Sequence, residues 1–416
     1  LVLSCLVNFG LLGFFKYFNF FIHNLKAALD AAGWHQDIAT LEVILPVGIS
    51  FYTFQSFSYT VDIYRGKLKP ANSLVEFVAF VSFFPQLVAG PIERATNLLP
   101  QFAADRRFDP AAATDGLRQM LWGFVKKLAV ADRLAVVVND VYADPSSKNG
   151  PALAAATVFF AFQIYCDFSA YSDIAVGSAR LFGFRLMRNF ALPYFSRSLT
   201  EFWRRWHISL STWFRDYLYL PLGGNRVGPL RHLWNVVFTF FVSGLWHGAS
   251  WTFVCWGAFH GVATAVSLFH GKQHGKSEDV PGGDGALPSP SGFLSMASTF
   301  SVVCAGWVLF RAQSLRDAGV IFGRIFGHAL DGDAWKYFLS SPPGGVRLFW
   351  VTSTVLVLFV AFEWVTRRLP HPFHVDGMAW FRRTPLPARW ALYTVIAWSV
   401  LALCPLAPQE FIYFRF

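Results

Sequence analysis

Two histidines offer the clearest chemistry in this sequence. His207 lies in SLTEFWRRWHISLSTWFRDYLYLPLGGNR and His247 in FFVSGLWHGASWTFVCWGAFHG. With Asn235 taken as a membrane boundary, His247 sits roughly 18 Å further along a helix, near the middle of a hydrocarbon core about 30 Å thick. An ionisable side chain at that depth is a functional-site candidate, because hydrocarbon does not solvate its charged form. The same position also suits an imidazole hydrogen-bonded between packed helices. Two carboxylates, Asp167 and Asp173, fall within another apolar run, QIYCDFSAYSDIAVG. Six residues turn a helix by about 240°, so they do not share a face. Gln163 with Asp167, and Ser169 with Asp173, stand at i,i+4. We read the carboxylates as interhelical hydrogen-bonding groups in preference to proton carriers.

The elements that would position these groups follow from local pattern. Ser198 with Glu201 fits a capping box that starts a helix at Leu199. Trp203, Trp206, Leu210, Trp213, Tyr217 and Leu220 then recur at spacings of three and four, forming one aromatic stripe. Arg204, Arg205, Arg215 and Asp216 fall mostly on other faces. The pattern predicts one interfacial helix ended by Pro221 and Gly223-Gly224. Its basic face suits lipid headgroups ahead of the phosphates of a nucleotide-bearing donor. Gly244 and Gly248 flank Leu245, Trp246 and His247, where small residues allow close backbone approach. The apolar run from Trp234 to Phe269 is too long for one crossing, which predicts two segments or a helix broken near Gly244 or Gly257.

The rest of the chain is apolar in the same way. Of 416 residues, 54% are hydrophobic, 18% aromatic and only 14% charged, against about 25% charged in soluble domains. Apolar runs at Leu1–Ile22, Leu41–Ile63, Leu74–Ile92, Leu117–Val141, Pro151–Phe182, Phe293–Phe310, Val346–Val365 and Trp390–Ala407 accompany the histidine region. They predict a single all-α, polytopic membrane domain over residues 1–416, with about nine or ten embedded segments. Pro85 and Gly90-Pro91 make Leu74–Ile92 a broken or re-entrant segment. Lys126 and Lys127 make Leu117–Val141 amphipathic or tilted. Residues 270–291, rich in Gly, Ser, Pro and Lys, read as a flexible polar loop. Leu1 opens inside an apolar run with no Met, which points to residues missing upstream.

The excess of 35 Lys and Arg over 25 Asp and Glu clusters beside apolar runs, so positive-inside anchoring explains it and nucleic-acid binding is not expected. The five cysteines stand singly in apolar segments and read as buried hydrophobes. No HExxH or His/Cys cluster suggests a metal, and no GxSxG elbow is present. HGKQHGKS lacks the glycine spacing of a phosphate-binding loop and follows no strand. With no internal repeat, an inverted-repeat transporter has little support.

FWRRWHISLSTWFRDYLYLPLGGNR followed by GLWHGASWTFVCWGAFHG resembles the membrane-bound O-acyltransferases, most closely the bacterial branch of alginate O-acetylases and peptidoglycan or cellulose acetylation proteins. GFFKYFNFF, PVGISFYTFQSFSYTVDIYRG, FFPQLVAGPIER, QIYCDFSAYSDIAVG and the ending FIYFRF agree, in order, over essentially the whole chain. The resemblance implies a helical bundle around a central tunnel, with His247 as the catalytic histidine and His207 as a second signature residue. Arg204, Arg205, Trp206, Arg215, Trp246, Asp167 and Asp173 become candidates for donor binding or tunnel lining. It further implies acyl transfer from a cytoplasmic thioester, typically acetyl-CoA, to a polysaccharide hydroxyl across a bacterial inner membrane, with no bound cofactor and often with a periplasmic acetyltransferase partner. A carrier-protein thioester donor, as in D-alanyl transfer, is the alternative, and a transporter a more distant one.

Overall fold

A computed structural model describes residues 1–35, 40–41, 46–269, 280, 287–374, 383–405, 407 and 409–412. Among these the regular elements are all helical. Six helices are long and apolar enough to cross a membrane: Val2–Ala31, Gly150–Leu181, Trp251–Leu268, Pro290–Arg311, Val346–Thr366 and Leu386–Leu403. The protein is therefore a multi-pass membrane protein. Most of the polar loop expected at 270–291 lies outside the described residues.

Gly150–Leu181 is the axis of the fold. Asn149 caps its first turn through Ala152 N–H at 2.9 Å, and Pro151 follows where no amide hydrogen is needed. Its 32 residues run about 48 Å. They are apolar on nearly every side and mostly buried, so the other helices pack around them. Lys126 and Lys127, expected on an amphipathic face, instead point into this packing. Consecutive residues diverge by about 100°, and two aspartates six apart diverge by about 120°. Each lysine therefore meets a different aspartate: Lys126 pairs with Asp173 at 2.6 Å, and Lys127 with Asp167 at 2.8 Å. Ser169 accepts from Lys126 at 2.7 Å, and Gln119 donates to Asp173 at 2.8 Å. Asp167 also accepts the backbone N–H of Ile412 at 2.7 Å, which ties the C-terminal motif to the axis.

The long run from Trp234 is two helices, as expected. Pro229–His247 and Trp251–Phe269 form a hairpin, and the chain turns at Gly248 to Ser250. Gly244 and Gly257 do not break either helix. A Cβ on either would stand 3.1 Å from the other's Cα, so these glycines are where the helices touch. Leu74–Val81 has only 8 residues before the chain turns, consistent with a segment that does not cross fully.

Candidate active site

The capping box at Ser198 forms: its Oγ accepts the Glu201 N–H at 3.2 Å, and Glu201 reaches back to the Arg197 N–H at 2.9 Å. The helix that follows is shorter than the stripe predicted. Leu199–Arg205 ends, His207 adopts φ 45° and ψ 55°, and a second helix runs Ile208–Phe214 into a π-helical turn at Arg215–Tyr219. A side chain held in the left-handed region is uncommon outside glycine and marks a position fixed by its surroundings. The fixing group is Asn189. Its carbonyl accepts the Ile208 N–H at 2.9 Å, and its Oδ1 accepts from Ser209 Oγ at 2.9 Å and from His207 Nδ1 at 3.1 Å. A proton on Nδ1 leaves Nε2 with its lone pair bare, and that atom is buried with no partner.

The stripe is also not interfacial. Trp206, Leu210 and Trp213 belong to the central core, Trp203 and Tyr217 pack against it, and only Leu220 of the stripe is exposed. Arg205, expected on the basic face, is 1% exposed and pairs with Glu201 at 3.0 Å. Arg204 and Arg215 are exposed. Trp206 packs edge-on to Phe190, and Asp167 holds Lys127.

His247 ends its helix at the hairpin turn, 8% exposed. Its ring lies 5.0 Å from Trp246, 5.0 Å from Trp256 and 5.2 Å from Phe310, in a pocket of aromatic edges. Trp246 joins the two histidines, with the His207 ring 6.3 Å from its centroid. The last carbonyls of the His247 helix would be unpaired at a buried end. Lys16 Nζ takes them, donating to Trp246 O at 2.6 Å and His247 O at 3.1 Å, while Tyr17 Oη donates to Leu245 O at 2.6 Å. A cation there also complements the negative end of the helix dipole. Lys16 and Tyr17, which stand near the end of the first apolar run, and Asn189 carried no role in the sequence pattern. A lysine inside the first apolar run was the available signal for Lys16; nothing local marked Asn189.

Two cavities adjoin this layer. A polar one of about 240 Å³ is lined by Lys126, Asp173, Arg180, Arg188, Asn189 and Glu363, among others. An apolar one of about 360 Å³ runs from Tyr217 and Phe57 past Gly13 and Tyr17 to Leu245 and Trp246. One group with metal-ligand chemistry also forms that spacing did not suggest. His371 Nε2 and His374 Nδ1 each lie 3.0 Å from Asp115 Oδ1, and Arg180 pairs with Oδ2. Burial alone would raise the Asp115 carboxyl, but the flanking histidines and Arg180 hold it below its ordinary range. Hydrogen bonds and the arginine account for the group.

Two buried imidazoles thus flank Trp246 inside a helical membrane bundle. The family model described as MBOAT, membrane-bound O-acyltransferase family, matches residues 69–280, and the chain belongs to this family. It is an O-acyltransferase. It is 38% identical to Probable alginate O-acetylase AlgI of Pseudomonas putida, covering 100% of this chain and 84% of that one. The Pseudomonas syringae pv. tomato protein of the same name is 42% identical over 78% of this chain and 60% of its own length. A Peptidoglycan O-acetyltransferase of Helicobacter pylori is 30% identical over 100% of this chain and 82% of its own. Teichoic acid D-alanyltransferase of Streptococcus thermophilus is 29% identical over 53% of this chain.

Proposed function

We propose that the protein moves an acetyl group from acetyl-CoA to a hydroxyl of an exopolysaccharide or cell-wall polymer across a bacterial inner membrane, with His247 as general base. The observation that carries this reading is His247 itself, buried at a hairpin tip whose backbone is fixed by Lys16 and Tyr17. A neutral imidazole takes the proton of the attacking hydroxyl as its oxygen bonds to the thioester carbonyl carbon. The C–S bond then breaks, and the departing thiolate takes up the proton. His207, oriented through Asn189, completes the site from beside Trp246. The identity to acetylating relatives supports acetyl as the group moved, over the D-alanyl alternative. A periplasmic partner protein that receives the acetyl group fits the same scheme.

His247→Ala tests the assignment. The variant should accumulate in the membrane at wild-type level and lose about 10²–10⁴-fold in acetyl transfer to polymer, the range for removal of a general base. More than a tenth of wild-type transfer by that variant removes His247 from the role.

A further inference from the structure

Three arginines from separate stretches meet around Asp216 and Tyr217. Arg65 follows the Ile49–Tyr64 helix, Arg94 precedes the Ala95–Ala103 helix, and Arg215 opens the π turn. Arg215 Nε lies 2.8 Å from Asp216 Oδ1, Arg94 Nη2 3.4 Å from Oδ2, and Arg65 Nη1 donates to the Asp216 carbonyl at 3.2 Å. The Arg94 and Arg65 guanidinium carbons stand 4.5 and 5.5 Å from the Tyr217 ring centre. Among the described residues, Asp216 bonds directly to all three cations, Asp62 accepts from the Tyr217 hydroxyl at 2.6 Å, and the Glu93 carboxylate accepts from Asn97 and the Met187 N–H. Like charges crowded this closely repel unless an anion joins them. Arg94 Nη1 is buried and has no partner, on a side chain only 14% exposed. A guanidinium with a spare buried N–H, beside two more guanidinium groups, is the fork geometry that takes a phosphate oxygen.

Tyr217 is also a wall of the apolar cavity that ends against Leu245 and Trp246, next to His247. Arg65 and Arg94, which pack on Tyr217, and His247, which packs on Trp246, therefore both adjoin this apolar corridor through residues that line it. We propose that Arg65, Arg94 and Arg215 bind the phosphate of the acyl donor, while its narrow thioester arm lies in the cavity between Tyr217 and Trp246. This rests on the acyl-transfer reading above and assigns the donor's place within it. The ligand chemistry is a phosphate ester joined to a slender, weakly polar chain, as in coenzyme A or the prosthetic arm of a carrier protein. A lipid headgroup would supply the same phosphate.

The test compares acetyl-CoA with S-acetylpantetheine, which carries the thioester arm and no phosphate, on the purified full chain in nanodiscs. Arg94→Gln should raise KM for acetyl-CoA tenfold or more with kcat within about threefold, and leave KM for S-acetylpantetheine unchanged. Arg94→Lys should recover part of the loss. Gly13 lines the corridor with open space where a Cβ would stand and has ordinary helical φ, so Gly13→Leu should block both donors without straining the backbone. An equal rise in KM for both donors after Arg94→Gln overturns the phosphate assignment. So does an unchanged KM accompanied by loss of a preference for phosphatidylglycerol over phosphatidylcholine discs, which gives the cluster to lipid. A carrier-linked acetyl-phosphopantetheine assayed beside acetyl-CoA distinguishes the two soluble sources. His247→Ala, run in parallel, should bind acetyl-CoA like wild type without transferring. Transfer by that variant counts against the acyl-transfer reading, whereas the Arg94→Gln comparison judges only the donor site.

Discussion

At the scale of single residues, Asn189 matters as much as the histidine it holds. It is 2% exposed, and one side-chain oxygen serves His207 and Ser209 while its carbonyl serves Ile208. Those bonds set the left-handed turn and place the imidazole proton on Nδ1. Asn189→Leu keeps the volume and removes the acceptor, so the ring is free to take the other tautomer. Transfer should fall about 10- to 100-fold, as when the partner that orients a functional imidazole is removed elsewhere. Asn189→Asp, which restores the acceptor, should lose less. Equal activity of the leucine variant and wild type would show that the tautomer of His207 is immaterial. His207 and His247 were legible because their residue type is conspicuous in apolar sequence. Asn189 was not, since it lies in an irregular stretch, 18 positions from the ring it serves.

At the scale of elements, the π-helical turns do what ordinary helix cannot. Three occur among the described residues, at Gly13–Tyr17, Val125–Ala131 and Arg215–Tyr219. Each carries charged or phenolic groups that reach inward: Lys16 and Tyr17 to the His247 helix, Lys126 and Lys127 to the aspartates, and Tyr217 to Asp62. Such turns shift the register of one helix by part of a turn and are common at functional sites. Hydropathy periodicity does not register them, which is why the lysines read as an amphipathic face, and it equally misses the left-handed break at His207, which is why the tryptophan stripe read as one straight helix. The six long apolar helices were legible, because length and apolarity are what a bilayer selects. Lys16→Met tests the turn at Gly13–Tyr17. It removes two charge-assisted bonds to the Trp246 and His247 carbonyls, each worth about 1.5–3 kcal/mol. Amide exchange in the peptide around Trp246 to Gly248 should quicken, and kcat should fall tenfold or more while donor KM holds. Lys16→Arg, which keeps charge and donors, should retain more activity. A methionine variant with wild-type exchange and kcat would reduce the clamp to packing.

At the scale of the whole molecule, arginines from several stretches gather at one end, while Lys148 and Arg324 meet at the other. Arg180 and Arg188 line the same cavity as Thr366 and His371, at the end of the Val346–Thr366 helix. Glu93 accepts the Met187 N–H, and its neighbour Arg94 pairs with Asp216 near Arg65 and Arg215. Positive residues beside spans stay in the cytoplasm, so this end should face the compartment that holds a CoA thioester. The Gly150–Leu181 helix crosses from there, which sends Ser147 at its far end to the outside. Both the apolar corridor and the polar cavity then approach the histidine layer from the donor's side, and the acceptor hydroxyl must reach His247 from the other. Cysteine labelling in intact cells decides this, in a background lacking Cys5, Cys166, Cys255, Cys304 and Cys404, with a reagent that does not cross the membrane. Arg185 and Arg368 are exposed at the basic end, whereas Arg382 lies outside the described residues. Cysteines at 185 and 368 should stay unlabelled until the cells are opened, and a cysteine at 147 should label from outside. The reverse pattern would put the arginine cluster in the periplasm, away from any CoA thioester, and the cross-membrane transfer would lose its basis.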